Sequence, residues 1–242
     1  MERLEDIKEY WTMRAEGYSD SILDELRTDR HRRWLDLINR HIDGRALKVL
    51  DIGTGPGFFP ILLGKEGHDV TAVDYTEAML DKARSNCQEF GVPARLMRMD
   101  AQSLDLPDDA FDLILSRNLI WDLERPRQAY REWLRVLRPG GTMIVFDGNY
   151  YLHLYDEQFT RVERDKNDGH RFIKGVDVNI MKDIAKGLPL SRERRPQWDV
   201  NTLIELGASS IELSMDGDRV EYRSDEGETI SLPFDFTLFV RK

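Results

Sequence analysis

A run of residues just downstream of apolar segments has the types needed to hold a nucleoside cofactor. The stretch "KVLDIGTGPGFFP" sets Asp51 in an apolar run and follows it with Gly53, Gly55 and Gly57. Glycines at that spacing let the backbone turn tightly and let a ligand approach without meeting a Cβ. A dinucleotide fingerprint would need its third glycine at position 58, which is Phe58, and no Gly-Lys-Ser/Thr follows to make a phosphate loop. Asp74 closes "DVTAVDY", where a carboxylate can accept ribose hydroxyl protons. Its alternative role is to cap the helix that begins "EAML", but Thr76 is better placed for that, which leaves Asp74 for a ligand. Asp100 closes "ARLMRMD" and Ala101 follows it, so a carboxylate and a backbone N–H could read the edge of a purine. Ser116 and Asn118 end "FDLILSRN", and Asp147 and Asn149 end "TMIVFDGN".

The elements around these residues explain why they could converge. From Ala46 onward, apolar runs alternate with helical segments: "ALKVLDIG", "DVTAVDY", "ARLMRMD", "FDLILSR" and "TMIVFDG" read as strands, the last beginning after Pro139-Gly140-Gly141. Such alternation implies a parallel sheet with right-handed crossovers, and ligands then lie at the carboxyl ends of the strands. Before Ala46 the chain reads as helix, with Trp34, Leu35, Leu37, Ile38 and Ile42 on one face and Gly44 as the stop. Residues 150–197 break the rhythm and read as a substrate cap or lid. A helix, "DVNTLIELGA", two strands, "SSIELSMD" and "FDFTLFVRK", and a polar hairpin between the strands complete the chain.

Four segments, "VLDIGTGPG", "VDYTEAML", "MDAQSLDLPDDAFDLILSRNLIWDL" and "YREWLRVLRPGGTMIVFD", together resemble the class I S-adenosylmethionine-dependent methyltransferases. The closest branch is the one that includes ubiquinone and menaquinone biosynthesis methyltransferases. The resemblance implies an α/β fold: a Rossmann-like sheet of seven mostly parallel strands flanked by helices. It adds a helical lid over residues 1–45 and a methyltransferase domain over 46–242, with the insertion at 150–197 after strand five. It also implies the cofactor, S-adenosylmethionine, with S-adenosylhomocysteine as product. The backbone of Gly53, Thr54, Gly55 and Gly57 would pass beneath the cofactor, with Asp51 near its amino group. Asp74 and Tyr75 would flank the ribose, Met79 would pack on the adenine, and Asp100 and Ala101 would read the adenine edge. Ser116 and Asn118 would border the methionyl part. The segment "YWTMRAEGYSDSI" resembles the part of that branch that folds over the cofactor, which would bring Tyr10, Arg14 and Tyr18 to the site. One departure is plain: Ile120-Trp121 stands where the branch often carries a histidine pair.

The sulfonium of such a cofactor is its own leaving group, so the protein's task is to hold nucleophile and methyl in line and to exclude water. A base is needed only for a protonated nucleophile. "DGNYYLHLYDE" offers Tyr151 and His153, with His153 the better base because its unperturbed pKa lies near neutrality; packing of an extended segment is the plainer role for both. His153, Asp156 and His170 show no familiar metal-ligand spacing, and no metal site is expected.

Composition narrows the partners. The net charge of −10 argues against a nucleic-acid surface, and the basic clusters "RTDRHRR" and "SRERR" read as solvated helix faces. No apolar run is long enough to cross a bilayer, the charged N-terminus does not read as a secretory signal, and Cys87 is the lone cysteine. A cytoplasmic enzyme with a small-molecule methyl acceptor is the expectation. A protein substrate, or a cofactor-binding module without turnover, is the alternative.

Overall fold

The computed structural model describes residues 2–156, 172–215, 219–223 and 227–242. The N-terminal helical region is two helices, α1 (Glu2–Leu26) and α2 (Arg32–Asn39). The region is helical, as expected, with an interruption at Thr28, whose backbone is extended and whose hydroxyl donates to the Glu25 carbonyl at 3.1 Å. A threonine hydroxyl that takes a local carbonyl offers the chain an alternative to the helical ladder.

The alternating segment folds as β1 (Lys48–Ile52), α3 (Phe58–Lys65), β2 (Asp69–Asp74), α4 (Glu77–Glu89), β3 (Arg95–Arg98), β4 (Phe111–Arg117), α5 (Pro126–Val136) and β5 (Leu137–Gly148). Beyond it lie α6 (Val178–Ala185), α7 (Gln197–Glu205), β6 (Ser210–Ser214), β7 (Arg219–Arg223), β8 (Thr229–Pro233) and β9 (Asp235–Arg241). Seven strands form one sheet in the order β3-β2-β1-β4-β5-β9-β6. Strands β1 to β5 pair in parallel, and β9 runs antiparallel to both β5 and β6. The expected strands are all present; the predicted hairpin is a separate antiparallel ribbon, β7 with β8. β5 begins at Leu137, ahead of the glycines, because Leu137 pairs with Phe111 before a register shift carries the chain on to Thr142.

Alternation along the central strands divides the core. Leu50, Ile52, Ile114 and Val145 face one side, with Tyr130 and Trp133 of α5. Val49, Leu113, Leu115 and Ile144 face the other, with Phe59 and Ile61 of α3. Both faces are buried, as a parallel sheet requires. The strand order reverses between β1 and β4, so the carboxyl edge opens a crevice there. None of the described helices is long and apolar enough to cross a membrane.

Candidate functional site

The turn after β1 is held from below. Gly53 N–H and Thr54 N–H both donate to the Val73 carbonyl, at 2.8 and 3.0 Å. Gly53 and Gly55 adopt φ of +72° and +53°, the left-handed region that glycine enters without steric cost. They are also closely covered: a Cβ on Gly53 would lie 2.7 Å from the Leu119 side chain, and one on Gly55 would lie 3.2 Å from the Tyr18 ring. Gly57 has a different neighbour, Ala83 of α4, and serves helix packing.

Asp74 is not left idle at the end of β2. Its Oδ2 accepts the Gly55 N–H at 2.9 Å and its Oδ1 accepts the Thr76 N–H at 2.8 Å. The Thr76 side chain makes no capping bond to the helix, and Asp74 instead fixes the backbone of Thr76 at the helix entry. The Thr76 side chain and the Tyr75 backbone also hydrogen-bond Asp74 and favour its ionised form. Burial pushes its pKa up to about 6.

Several buried polar atoms at this edge meet no partner at hydrogen-bond geometry among the described residues, Asp51 Oδ2, Thr54 Oγ1 and Ser116 Oγ among them, although Thr54 lies close enough to Asp51 to favour its ionised form. Burial is the main force that pushes Asp51 up to about 7, and the Asp74 charge adds to it. Orphaned polar atoms are costly inside a protein, and their grouping at the switch point marks a place built for a ligand.

A cleft at the same edge of the sheet, partly open to solvent, has about 530 Å³ of empty space. Gly53, Asp74, Tyr75, Asp100 and Ala101 line its floor, and Leu4, Ile7, Lys8 and Trp11 of α1 cover it. Asp100 Oδ1 accepts the Gln102 backbone and side-chain N–H groups at 2.8 and 3.1 Å, and Oδ2 lies 3.5 Å from the Arg125 guanidinium. The Tyr75 hydroxyl donates to Glu5 at 3.0 Å, a tie from β2 to α1. Met79 is buried in α4 and does not line this cavity.

α1 also brings Tyr10, Arg14 and Tyr18 to this edge. Tyr10 is buried, and Arg14 donates to the Phe172 carbonyl at 3.2 Å. Trp11 stacks obliquely with Tyr18 at 5.6 Å and donates its indole N–H to Asp122 Oδ2 at 2.5 Å. Trp11 belongs to the segment whose resemblance brings Tyr10, Arg14 and Tyr18 to the site, whereas Asp122 is not singled out by the sequence. The signal available for Asp122 was an acid inside the apolar run "LIWDL" just after a strand.

At the ends of β4 and β5, Asn118 sits at φ +56° and its Oδ1 accepts the Tyr150 hydroxyl at 2.6 Å. Trp121 packs against Tyr150 at 5.4 Å and Tyr151 at 5.3 Å, and His153 lies 6.0 Å from Tyr151. Asp147 and Asn149 are structural. Asp147 Oδ1 pairs with Arg195 at 2.7 Å, Arg195 pairs in turn with Asp199 at 2.6 Å, and Tyr130 donates to Asp199 at 2.6 Å. Asn149 bonds the Arg195 carbonyl and N–H. The last arginine of "SRERR" is therefore buried at 2% exposure, contrary to its reading as part of a solvated face. Among the described residues no group of three or more His, Cys, Asp or Glu side chains could hold a metal ion; His170 lies outside them.

Comparison with known proteins follows this geometry. The family described as "Methyltransferase domain" matches residues 50–145. A malonyl-[acyl-carrier protein] O-methyltransferase of Paenibacillus sp. (strain JDR-2) is 31% identical over 227 residues, covering 90% of this chain and 76% of that protein. A phosphatidylethanolamine N-methyltransferase of Cereibacter sphaeroides is 34% identical over 107 residues, or 43% of this chain. The chain spans about half the length of that relative, 52%. A crystal structure of an S-adenosylmethionine-dependent methyltransferase from Mesorhizobium loti superposes with a TM-score of 0.59 over 86% of this chain and 97% of that one. At 20% identity it speaks for the fold alone.

Proposed function

The chain belongs to the S-adenosylmethionine-dependent methyltransferases, and from that premise we propose that it transfers a methyl group to a small-molecule acceptor. The observation that carries this reading is the set of buried atoms without a partner at hydrogen-bond geometry among the described residues, Asp51 Oδ2, Thr54 Oγ1 and Ser116 Oγ, beside a left-handed glycine turn. Those donors and acceptors suit a ligand with an ammonium and a carboxylate, as the methionyl end of the cofactor has. When bound, S-adenosylmethionine supplies an activated methyl on a sulfonium.

The residues then divide the work. Asp51 takes the amino group, and an arriving positive charge favours its ionised form. Asp74 takes the ribose hydroxyls, beside Tyr75. Asp100 and the Ala101 N–H take the adenine edge. Tyr10, Arg14 and Tyr18, on α1, close the site from above, and the helix excludes water. Tyr151 and His153 stand on the acceptor side. Met79, away from the cavity, supports the helix beneath it.

Incubation with methyl-labelled S-adenosylmethionine and a fractionated small-metabolite extract tests the reading. Label should appear in a small-molecule fraction together with S-adenosylhomocysteine. Cofactor binding with no transfer to any fraction would instead favour a binding module, and label on protein would move the acceptor class.

A further inference from the structure

Asp122 is the buried group that the cofactor roles leave unused. It is 2% exposed, and its Oδ1 has no partner among the described residues. It lines the cavity from a short 3-10 turn after β4 (Ile120–Asp122), on the β4–β5 side of the switch point, whereas Asp74 and Asp100 line it from the β2–β3 side. A cofactor whose adenosine lies over β2 and β3 directs its sulfur toward β4, so Asp122 stands where an acceptor would enter.

Its surroundings are aromatic. Trp11 donates to its Oδ2, and Tyr10 is close enough that the Asp122 charge raises the phenol's pKa, after the larger effect of burial. Tyr10 packs edge-on to Trp11 at 5.4 Å, and both belong to one apolar cluster with Trp121, Tyr150 and Tyr151. Its carboxylate neighbour Asp147 is matched by Arg195, while Asp122 has no ion-pair cation among the described residues. A carboxylate with one oxygen unmatched, beside an aromatic cluster, suits an ammonium group: the free oxygen takes the charge and the apolar rings take the alkyl or aryl body.

We propose that the methyl acceptor is an amine, received as its ammonium form by Asp122 against the Trp11 and Tyr10 rings. The inference rests on the methyltransferase reading. The ammonium gives one proton to Asp122 Oδ1, and its freed lone pair attacks the methyl carbon. The carbon–sulfur bond then breaks with its electrons going to sulfur. The products are a neutral thioether and an N-methylated ammonium, so charge and protons balance. Burial, then the Asp147 charge, lifts the Asp122 carboxyl to about 8 in the empty site, which makes it an unusually basic carboxylate; the arriving ammonium favours its ionised form until the proton passes. His153 is then not required as a base.

The test titrates benzylammonium and benzyl alcohol into protein loaded with S-adenosylhomocysteine, whose sulfur is neutral, and reads tryptophan fluorescence and calorimetric heat. The wild type should prefer the ammonium by about tenfold or more, the range expected for a hydrogen bond to a charged group. Asp122→Asn should erase the preference while S-adenosylhomocysteine affinity, which also reports folding, changes by less than about threefold. Trp11→Phe keeps the ring and should lower the preference partway. Equal binding of the two probes, or a preference that survives Asp122→Asn, overturns the inference alone. So does an Asp122→Asn effect confined to the affinity ratio of S-adenosylmethionine to S-adenosylhomocysteine, which would assign Asp122 to the sulfonium. Failure of the wild type to bind S-adenosylhomocysteine overturns the methyltransferase reading itself.

Discussion

Asp74 holds Gly55: the glycine N–H donates to Asp74 Oδ2 at 2.9 Å across 19 residues of sequence. One carboxylate thus fixes the shape of the turn after β1, and under the proposed function it also meets the ribose. Asp74→Ala removes both functions. With about 1.5–3 kcal/mol for each hydrogen bond to a charged group, S-adenosylhomocysteine affinity should fall by about 100-fold or more in a calorimetric titration. An unchanged affinity would show that the ribose contact lies elsewhere.

Gly55→Ala meets two obstacles at once, φ of +53° and a Tyr18 ring 3.2 Å from the new Cβ. The left-handed conformation alone costs about 1–2 kcal/mol. A fall in Tm of about 2–8 °C follows for a chain of this size, with weakened cofactor binding. The pair Gly55→Ala with Tyr18→Ala should recover the part due to the ring contact but not the part due to φ. Full recovery in the pair would show that the backbone conformation costs nothing.

Much of this site was legible in the sequence because its parts sit at strand ends. An apolar run followed by Gly53, Gly55 and Gly57, then Asp74 and Asp100 after the next two runs, places each group by local pattern alone. What stayed hidden depends on distant partners. Trp11 and Asp122 are 111 residues apart, and Arg195 reaches Asp147 across 48. A basic cluster such as "SRERR" carries no local mark that its last arginine turns inward; only two buried carboxylates waiting for it make that happen. Asp74 was legible as a ligand residue, but its hold on Gly55 and Thr76 was not, since capping rules pointed to Thr76. Likewise Gly57 fits the glycine motif yet answers to Ala83.

Arg195 lies between Asp147 and Asp199, and all three side chains are essentially inaccessible. Arg195→Ala leaves two buried carboxylates unmatched and should cost about 3–5 kcal/mol in chemical denaturation. Arg195→Lys should recover only part of it, because an ammonium lacks the planar fork that bonds both carboxylates. A loss below about 1 kcal/mol would mean that water replaces the arginine, against the burial found here.

Asp51 and Asp74 are both raised in the folded protein, to about 7 and about 6 from 3.8. The folded state therefore binds more protons than the unfolded state between those limits, and their contribution to stability falls as pH rises from about 4 to about 7. A cationic ligand favours the ionised carboxylates, so its binding takes the opposite course: S-adenosylmethionine affinity should rise from pH 5.5 to pH 7. Asp51→Asn should flatten much of that rise. A wild-type affinity that is level across the range would contradict the assignment of Asp51 to the amino group.

The central claim is that the crevice between β1 and β4 holds S-adenosylmethionine. Calorimetric titration of the wild-type protein with S-adenosylhomocysteine and, separately, with NADH tests it most directly. One saturable S-adenosylhomocysteine site with no heat from NADH is the result predicted; NADH binding without S-adenosylhomocysteine binding would contradict it.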